Sequence, residues 1–128
     1  MGQQQLLLIV LGVIVVGIAV VVGINLFNAN ATLANRDGVI SDLNNLGAMA
    51  QQHYKKPTSM GGGGNTFTGW SLANTGLDST ANGTYTSVVA AQTVTLVGLG
   101  TETGNDGAAP VQATATVSST TITVAVNN

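Results

Sequence analysis

The chain has no cysteine and very little charge. Only 6% of its 128 residues are charged and only 4% are aromatic. The absence of cysteine excludes disulfides, thiolate metal sites and c-type haem attachment. Because Arg36, Lys55 and Lys56 are the only Lys and Arg residues, an extended nucleic-acid interface is not expected. The polar residues are mostly Thr, Asn, Ser, Gln and Gly, an uncharged composition suited to packing against further copies of the same chain.

The segment from Leu6 to Phe27, called the apolar segment below, dominates the sequence. It contains 17 Leu, Ile, Val or Phe residues, no charged residue and one polar side chain, Asn25. As a helix it spans about 33 Å, close to the roughly 30 Å hydrocarbon thickness of a bilayer. The apolar side chains favour insertion by roughly 5 to 10 kcal/mol. Helix is expected rather than strand, because lipid requires each backbone group to be paired within the segment. We predict a membrane span, the inner part of a helical assembly, or both at different times.

A cleaved secretory signal peptide is not predicted. Residues 1–5 contain no basic side chain, the apolar segment is longer than a signal sequence requires, and no A-x-A site follows Phe27. The N-myristoylation pattern also fails, because Leu6 stands where Ser or Thr is required. We therefore expect the apolar segment to be retained.

The helical pattern continues beyond the apolar segment, with apolar residues on one face only. These residues are separated by four, three, four and four positions, which is helical spacing. We call them the docking stripe: Val39, Leu43, Leu46, Ala50 and Tyr54. Lys55 and Lys56 suit the last turn of a helix and Pro57 marks its end. The pattern predicts one helix from about Gln3 to Lys56, roughly 80 Å long.

This layout resembles the N-terminal helix of type IV pilins and related pilin-like filament subunits. The resemblance covers residues 1–56 and depends on the layout and on the opening MGQQQLLLIVLG. In that family a prepilin peptidase cuts after a leader that ends in Gly, and the mature first residue is methylated. The fifth mature residue is usually Glu, which is thought to neutralise the amino terminus of a neighbouring subunit.

The resemblance allows two registers for the mature start. If Met1 is first, Gln5 replaces the usual Glu. If cleavage follows Gly2, Leu7 occupies that position instead, so neither register supplies a carboxylate. Gln5 could still accept a hydrogen bond, without the attraction of a charge. Met1, Gly2 and Gln5 are therefore the candidate residues for processing and assembly.

Residues 57–128 are predicted to form a small β-rich globular head. A flexible loop leading out of the helix is predicted at Met60–Asn65. Strands are predicted at 84–91 and 93–99, the second bounded by the glycines that begin at Gly98. Two alternating runs, 111–117 and 121–126, predict a hairpin joined by 118–120. The expected fold is α+β, in which an antiparallel sheet of three to five strands packs on the docking stripe. Pilin heads are built in this way.

Few residues in the sequence suggest a catalytic or metal-binding site. His53 lacks an Asp, Cys or second His as a partner for catalysis or metal binding. The TETGNDG segment, which contains Glu102 and Asp106, could hold Ca²⁺, as loops of some pilin-like subunits do. The spacing of a calcium-binding EF-hand is absent, and a plain turn is the preferred interpretation. We therefore predict no catalytic, cofactor-binding or metal-binding residues, and no enzymatic activity.

The resemblance implies a structural subunit of an extracellular type IV pilus-like filament. The expected partners are further copies of the chain, the membrane before assembly, and the pilus or secretion assembly machinery. The expected location is a single-pass membrane protein that later becomes part of a cell-surface filament. Alternatives are a membrane-tethered pseudopilin or accessory subunit, and a single-span protein with a small extracytoplasmic binding domain. The residues expected to form the assembly helix are Leu6, Leu7, Leu8, Ile9, Val10, Leu11, Val13, Ile14, Val16, Ile18, Val20, Val21, Ile24 and Phe27.

Overall fold

A computed structural model describes residues 2–128, which form one long helix and one antiparallel sheet. The helix, α1, comprises Gly2–Lys55, and short 3₁₀ helices follow at Thr58–Met60 and Leu72–Thr75. The strands lie side by side in chain order, each antiparallel to the next. They are β1 (Ser79–Thr80), β2 (Gly83–Val89), β3 (Val94–Thr103), β4 (Pro110–Val117) and β5 (Ile122–Val126). The predicted α+β class is confirmed.

The chain forms two compact units, and the boundary between them lies within α1. The first unit ends at Ala31 and the second comprises Thr32–Asn128. The predicted division followed the end of the helix, at residue 56. In the structure the second half of α1 belongs with the sheet, because its docking stripe lies in the same hydrophobic core. We call Thr32–Asn128 the C-terminal unit.

The core of the C-terminal unit lies between the docking stripe and one face of the sheet. Val39, Leu43, Leu46 and Ala50 are fully buried. Alternate residues of a strand point to the same face, which is why every second residue of β4 meets the helix. The fully buried residues of β3 and β4 are Val94, Leu96, Val111, Ala113, Ala115 and Val117. Tyr54 is half-buried, and its ring centroid lies 4.8 Å from that of Phe67.

The glycine run after α1 folds back onto the helix end and does not lead away from it as a flexible loop would. The backbone N–H of Gly63 donates to His53 O at 2.7 Å, and that of Gly64 donates to Lys56 O at 2.9 Å. Asn65 likewise donates to Tyr54 O at 2.7 Å. The last carbonyls of a helix have no partner within the helix, so this loop supplies the donors they lack.

Strand β3 is longer than the sequence predicts, because its glycines do not end it. A Cβ on Gly98 would lie 2.8 Å from Val39 Cγ1 and 2.9 Å from Tyr85 Cε1. Gly47 of α1 has a similar role, since a Cβ there would lie 3.0 Å from the Ile122 side chain. These glycines therefore allow helix and sheet to approach closely, a known use of glycine within strands.

The predicted hairpin is present as β4 and β5. Val117 pairs with Ile122 and Ala113 pairs with Val126. The connection is one residue longer than predicted, because Thr121 belongs to the turn, where its carbonyl accepts from Ser118 N at 2.8 Å. The first strand of the sheet, β1, was not predicted.

Candidate assembly surface and polar sites

The most prominent surface of the chain is the apolar segment. Its 17 large apolar side chains are all at least half exposed, from 50% for Val22 to 72% for Phe27. They include every residue predicted for the assembly helix. Soluble monomers rarely expose such large contiguous apolar patches, which usually mark membrane or protein contacts. By length and composition the helix is able to cross a membrane.

The apolar segment is apolar on every face. Leu6 to Leu11 are six consecutive large apolar residues, and at 3.6 residues per turn they cover more than one full turn. Gly12, Gly17 and Gly23 leave open space at the surface, because a Cβ on any of them would meet nothing within 4 Å. A surface of this kind needs apolar surroundings on all sides, which a single partner along one face does not provide.

The candidate processing residues lie just before the apolar segment. Gly2 and Gln5 are exposed in the first turns of α1, whereas Met1 lies outside the described residues. The first turn contains no acidic residue. The expected carboxylate position is therefore occupied by the carboxamide of Gln5 if Met1 is the mature start, and by Leu7 if cleavage follows Gly2.

Asn35 joins α1 to two parts of the sheet, and only its helical spacing from the docking stripe could have indicated this role. It is 92% buried, and it lies four residues before Val39, so it extends the docking stripe by one turn. Its Nδ2 donates to Asn82 O at 2.8 Å and to Thr101 Oγ1 at 3.2 Å. Its Oδ1 accepts from the backbone N–H groups of Thr101 and Glu102 at 3.0 and 3.2 Å. These contacts lie where the pairing of β3 with β4 shifts register, so Asn35 satisfies strand groups that the shift leaves free.

Asp42 forms a second polar contact between helix and sheet. Its Oδ2 accepts hydrogen bonds from Tyr85 Oη at 2.6 Å, Thr80 Oγ1 at 2.8 Å and Asn82 Nδ2 at 3.1 Å. Burial alone would raise the pKa of Asp42, but these three bonds lower it below its ordinary value. Burial and the bond to Asp42 raise the pKa of Tyr85. Because all three donors converge on one oxygen, the cluster holds β1 and β2 against the helix.

His53 lines an open polar cleft of about 320 Å³ near the end of α1. The cleft also contains Gln52, Lys56, Trp70 and Asn74. His53 Nε2 lies 3.3 Å from Thr68 O, a structural contact between helix and loop. None of the described residues that line the cleft is acidic.

The TETGNDG segment forms the end of β3 and the turn that follows it. Asp106 Oδ1 accepts from the backbone N–H groups of Ala108 and Ala109, both at 2.9 Å, and from Asn128 Nδ2 at 3.1 Å. These bonds lower the pKa of Asp106. Arg36 donates from Nη2 to Asn105 Oδ1 at 2.7 Å, which ties this turn to α1. The carboxylate of Asp106 is therefore used to shape the turn.

Within residues 2–128, no group of three or more His, Asp or Glu side chains is arranged to hold a metal ion. Comparison with protein-family models, with curated proteins and with solved structures finds no match to this chain. The surface of the apolar segment is therefore the main basis for a functional proposal.

Proposed function

We propose that this chain is a structural subunit of an extracellular, type IV pilus-like filament that assembles through the apolar segment. The single observation that carries the proposal is the uncharged apolar surface of Leu6–Phe27, exposed on every face. The proposed role is mechanical and involves no catalysis. Its partners are other copies of the chain, the membrane before assembly, and a machine that moves subunits from membrane to filament.

The energetics favour an apolar environment for this surface at every stage. Full burial of a Val, Leu, Ile or Phe side chain is worth about 1.5 to 3 kcal/mol relative to exposure in water. For 17 such residues the total is on the order of 25 kcal/mol or more, so the segment does not remain in water. Exchanging lipid for the apolar side chains of neighbouring helices changes this free energy of burial little, because the side chains stay out of water. Transfer from membrane to filament is therefore possible without a large hydrophobic penalty.

The all-round apolar surface favours assembly of many helices over a simple dimer. A helix with one apolar stripe is satisfied by one partner, whereas a helix that is apolar all round requires complete enclosure. In the proposed filament the apolar segments form the centre, and the C-terminal units, with their Thr, Asn and Ser side chains, form the outside. The membrane-tethered accessory subunit remains the alternative, since a bilayer encloses the same surface.

A charge in the middle of the apolar segment tests the proposal. Val15→Asp should cost about 3 kcal/mol on insertion, less than the roughly 5 to 10 kcal/mol that favours the span. The variant should therefore still reach the membrane. In a dry filament centre, however, an unpaired carboxylate is far more costly, so fibres should be lost. Val15→Leu is the matched control and should assemble normally.

The measurements are electron microscopy of material sheared from cells and detection of the chain in sheared and membrane fractions. Wild-type fibres that contain the chain, together with their loss in Val15→Asp, would support the proposal. Normal fibre yield from Val15→Asp would rule out a dry helical centre. A wild-type chain found only in membranes would instead support the accessory role.

A further inference from the structure

We propose that the glutamines at the start of α1 set the register of the filament by pairing with the asparagines of a second copy. The two groups are Gln3–Gln5 and the set Asn25, Asn28 and Asn30. This inference depends on the proposed function, because it describes how neighbouring subunits meet in the filament. It names the contact that fixes their displacement along the axis.

The polar side chains of this part of α1 form two separate groups. Between Gln5 and Asn25 lie 19 residues without a single polar side chain. All six carboxamides are exposed, and they belong to one continuous helix. None carries a charge, and each presents both donors and an acceptor, so the two groups are chemically complementary. The distance between them follows from the helical rise: 20 to 25 residues from Gln5 correspond to about 30 to 38 Å.

In the membrane, this spacing places the two groups at opposite ends of the hydrocarbon region. The apolar residues between them match the roughly 30 Å of hydrocarbon, so the carboxamides lie near the two interfaces. On entry into a filament each group leaves that interfacial position. A buried donor or acceptor without a partner is unfavourable, so the packing that pairs the carboxamides is preferred.

Helical symmetry makes the second copy the natural partner. Copies in a helical filament point in the same direction and are displaced along the axis. A neighbour displaced by between about 5 and 25 Å would set the glutamines against purely apolar side chains. A neighbour displaced by about 30 to 38 Å sets Gln5 beside Asn25, Asn28 or Asn30. Single polar residues in apolar helix interfaces are known to specify register in this way.

Cysteine cross-linking tests this contact against a clean background, because the chain has no cysteine. Gln5→Cys is combined in turn with Asn25→Cys, Asn28→Cys and Asn30→Cys, and sheared filaments are oxidised. At least one pair should give a ladder of covalent oligomers on a non-reducing gel, since a disulfide requires Cα atoms about 4.4 to 6.8 Å apart. Each single variant should give none. Gln5→Cys with Val15→Cys is the matched control and should give a much weaker ladder.

The outcomes separate this inference from the proposed function. If filaments form but none of the asparagine positions gives a ladder, the proposed register is wrong, whereas the proposed function still stands. A ladder from the Val15→Cys pair as strong as that from the asparagine pairs would also overturn it. Cryo-electron microscopy of wild-type filaments gives a second measurement that needs no substitution. A helical lattice without neighbours displaced by about 30 to 38 Å would contradict the inference. Absence of any wild-type filament would contradict the proposed function itself.

Discussion

Replacing Asn35 by alanine removes the side chain that ties α1 to both the β1–β2 turn and the end of β3. Four hydrogen bonds are lost, two donated by Nδ2 and two accepted by Oδ1. The backbone N–H groups of Thr101 and Glu102 then lose their acceptor. A buried group left unsatisfied costs about 1 to 3 kcal/mol. Because Thr101 and Glu102 are themselves exposed residues, water replaces part of what is lost.

The expected net loss of stability is about 2 kcal/mol, after allowing for the better helix propensity of alanine, which returns about 0.5 kcal/mol. For a unit of this size each kcal/mol lowers Tm by about 4 to 8 °C, so Tm should fall by about 8 to 16 °C. The C-terminal unit carries a suitable probe, because Trp70 is the only tryptophan in the chain and is almost fully buried.

The assay is thermal unfolding of the full chain in detergent, followed by Trp70 fluorescence. Asn44→Ala is the matched control: Asn44 is exposed on the same helix, so its replacement should only raise Tm by about 2 to 4 °C through helix propensity. If Asn35→Ala unfolds at the same temperature as Asn44→Ala, the polar contact does not hold the helix to the sheet.

Leu43 is fully buried in the docking stripe, so Leu43→Ala should lower stability by about 2 to 5 kcal/mol in the same assay; a Tm equal to that of the wild type would mean that the stripe does not face the sheet. Gly98→Ala should lower stability by about 1 to 3 kcal/mol, because its Cβ has no room beside Val39 and Tyr85, whereas Gly12→Ala should not alter Tm. For Asp42, whose pKa is lowered by folding, the stabilising contribution is present above its ordinary value of 3.8 and is lost as the pH falls through the lower folded-state pKa. Asp42→Asn should therefore lose less stability than the wild type on acidification. Trp70 fluorescence from about pH 5 to about pH 2 measures this difference. If the variant and the wild type have the same pH dependence, the carboxylate is not stabilised in the folded state.

Long periodic features of the fold could be predicted from the sequence. The apolar segment is a long, almost unbroken run of apolar residues, and the docking stripe repeats the helical period over several turns. The β4–β5 hairpin alternates apolar and polar residues over two strands. Such patterns depend on many residues, so one exception does not erase them. Strand β1 has two residues, which is too short for any period to appear.

The features that could not be predicted depend on contacts between distant residues. Gly98 looks like a turn signal in isolation, and only the approach of Val39 and Tyr85 explains a glycine within β3. Asn35 looks like one more polar helix residue until the register shift of β3 places unpaired backbone groups beside it. The glycine run from Gly61 similarly looks like a flexible loop in the sequence. Its role appears only in the fold, where it donates hydrogen bonds to carbonyls at the helix end.

The carboxylates of the C-terminal unit that accept hydrogen bonds do so from neutral groups. The partners of Asp42 are a phenol, an alcohol and an amide, and those of Asp106 are peptide N–H groups and an amide. Dissolved ions weaken attraction between opposite charges, but they have little to weaken here. The stability of the C-terminal unit should therefore change little between low and high salt concentration.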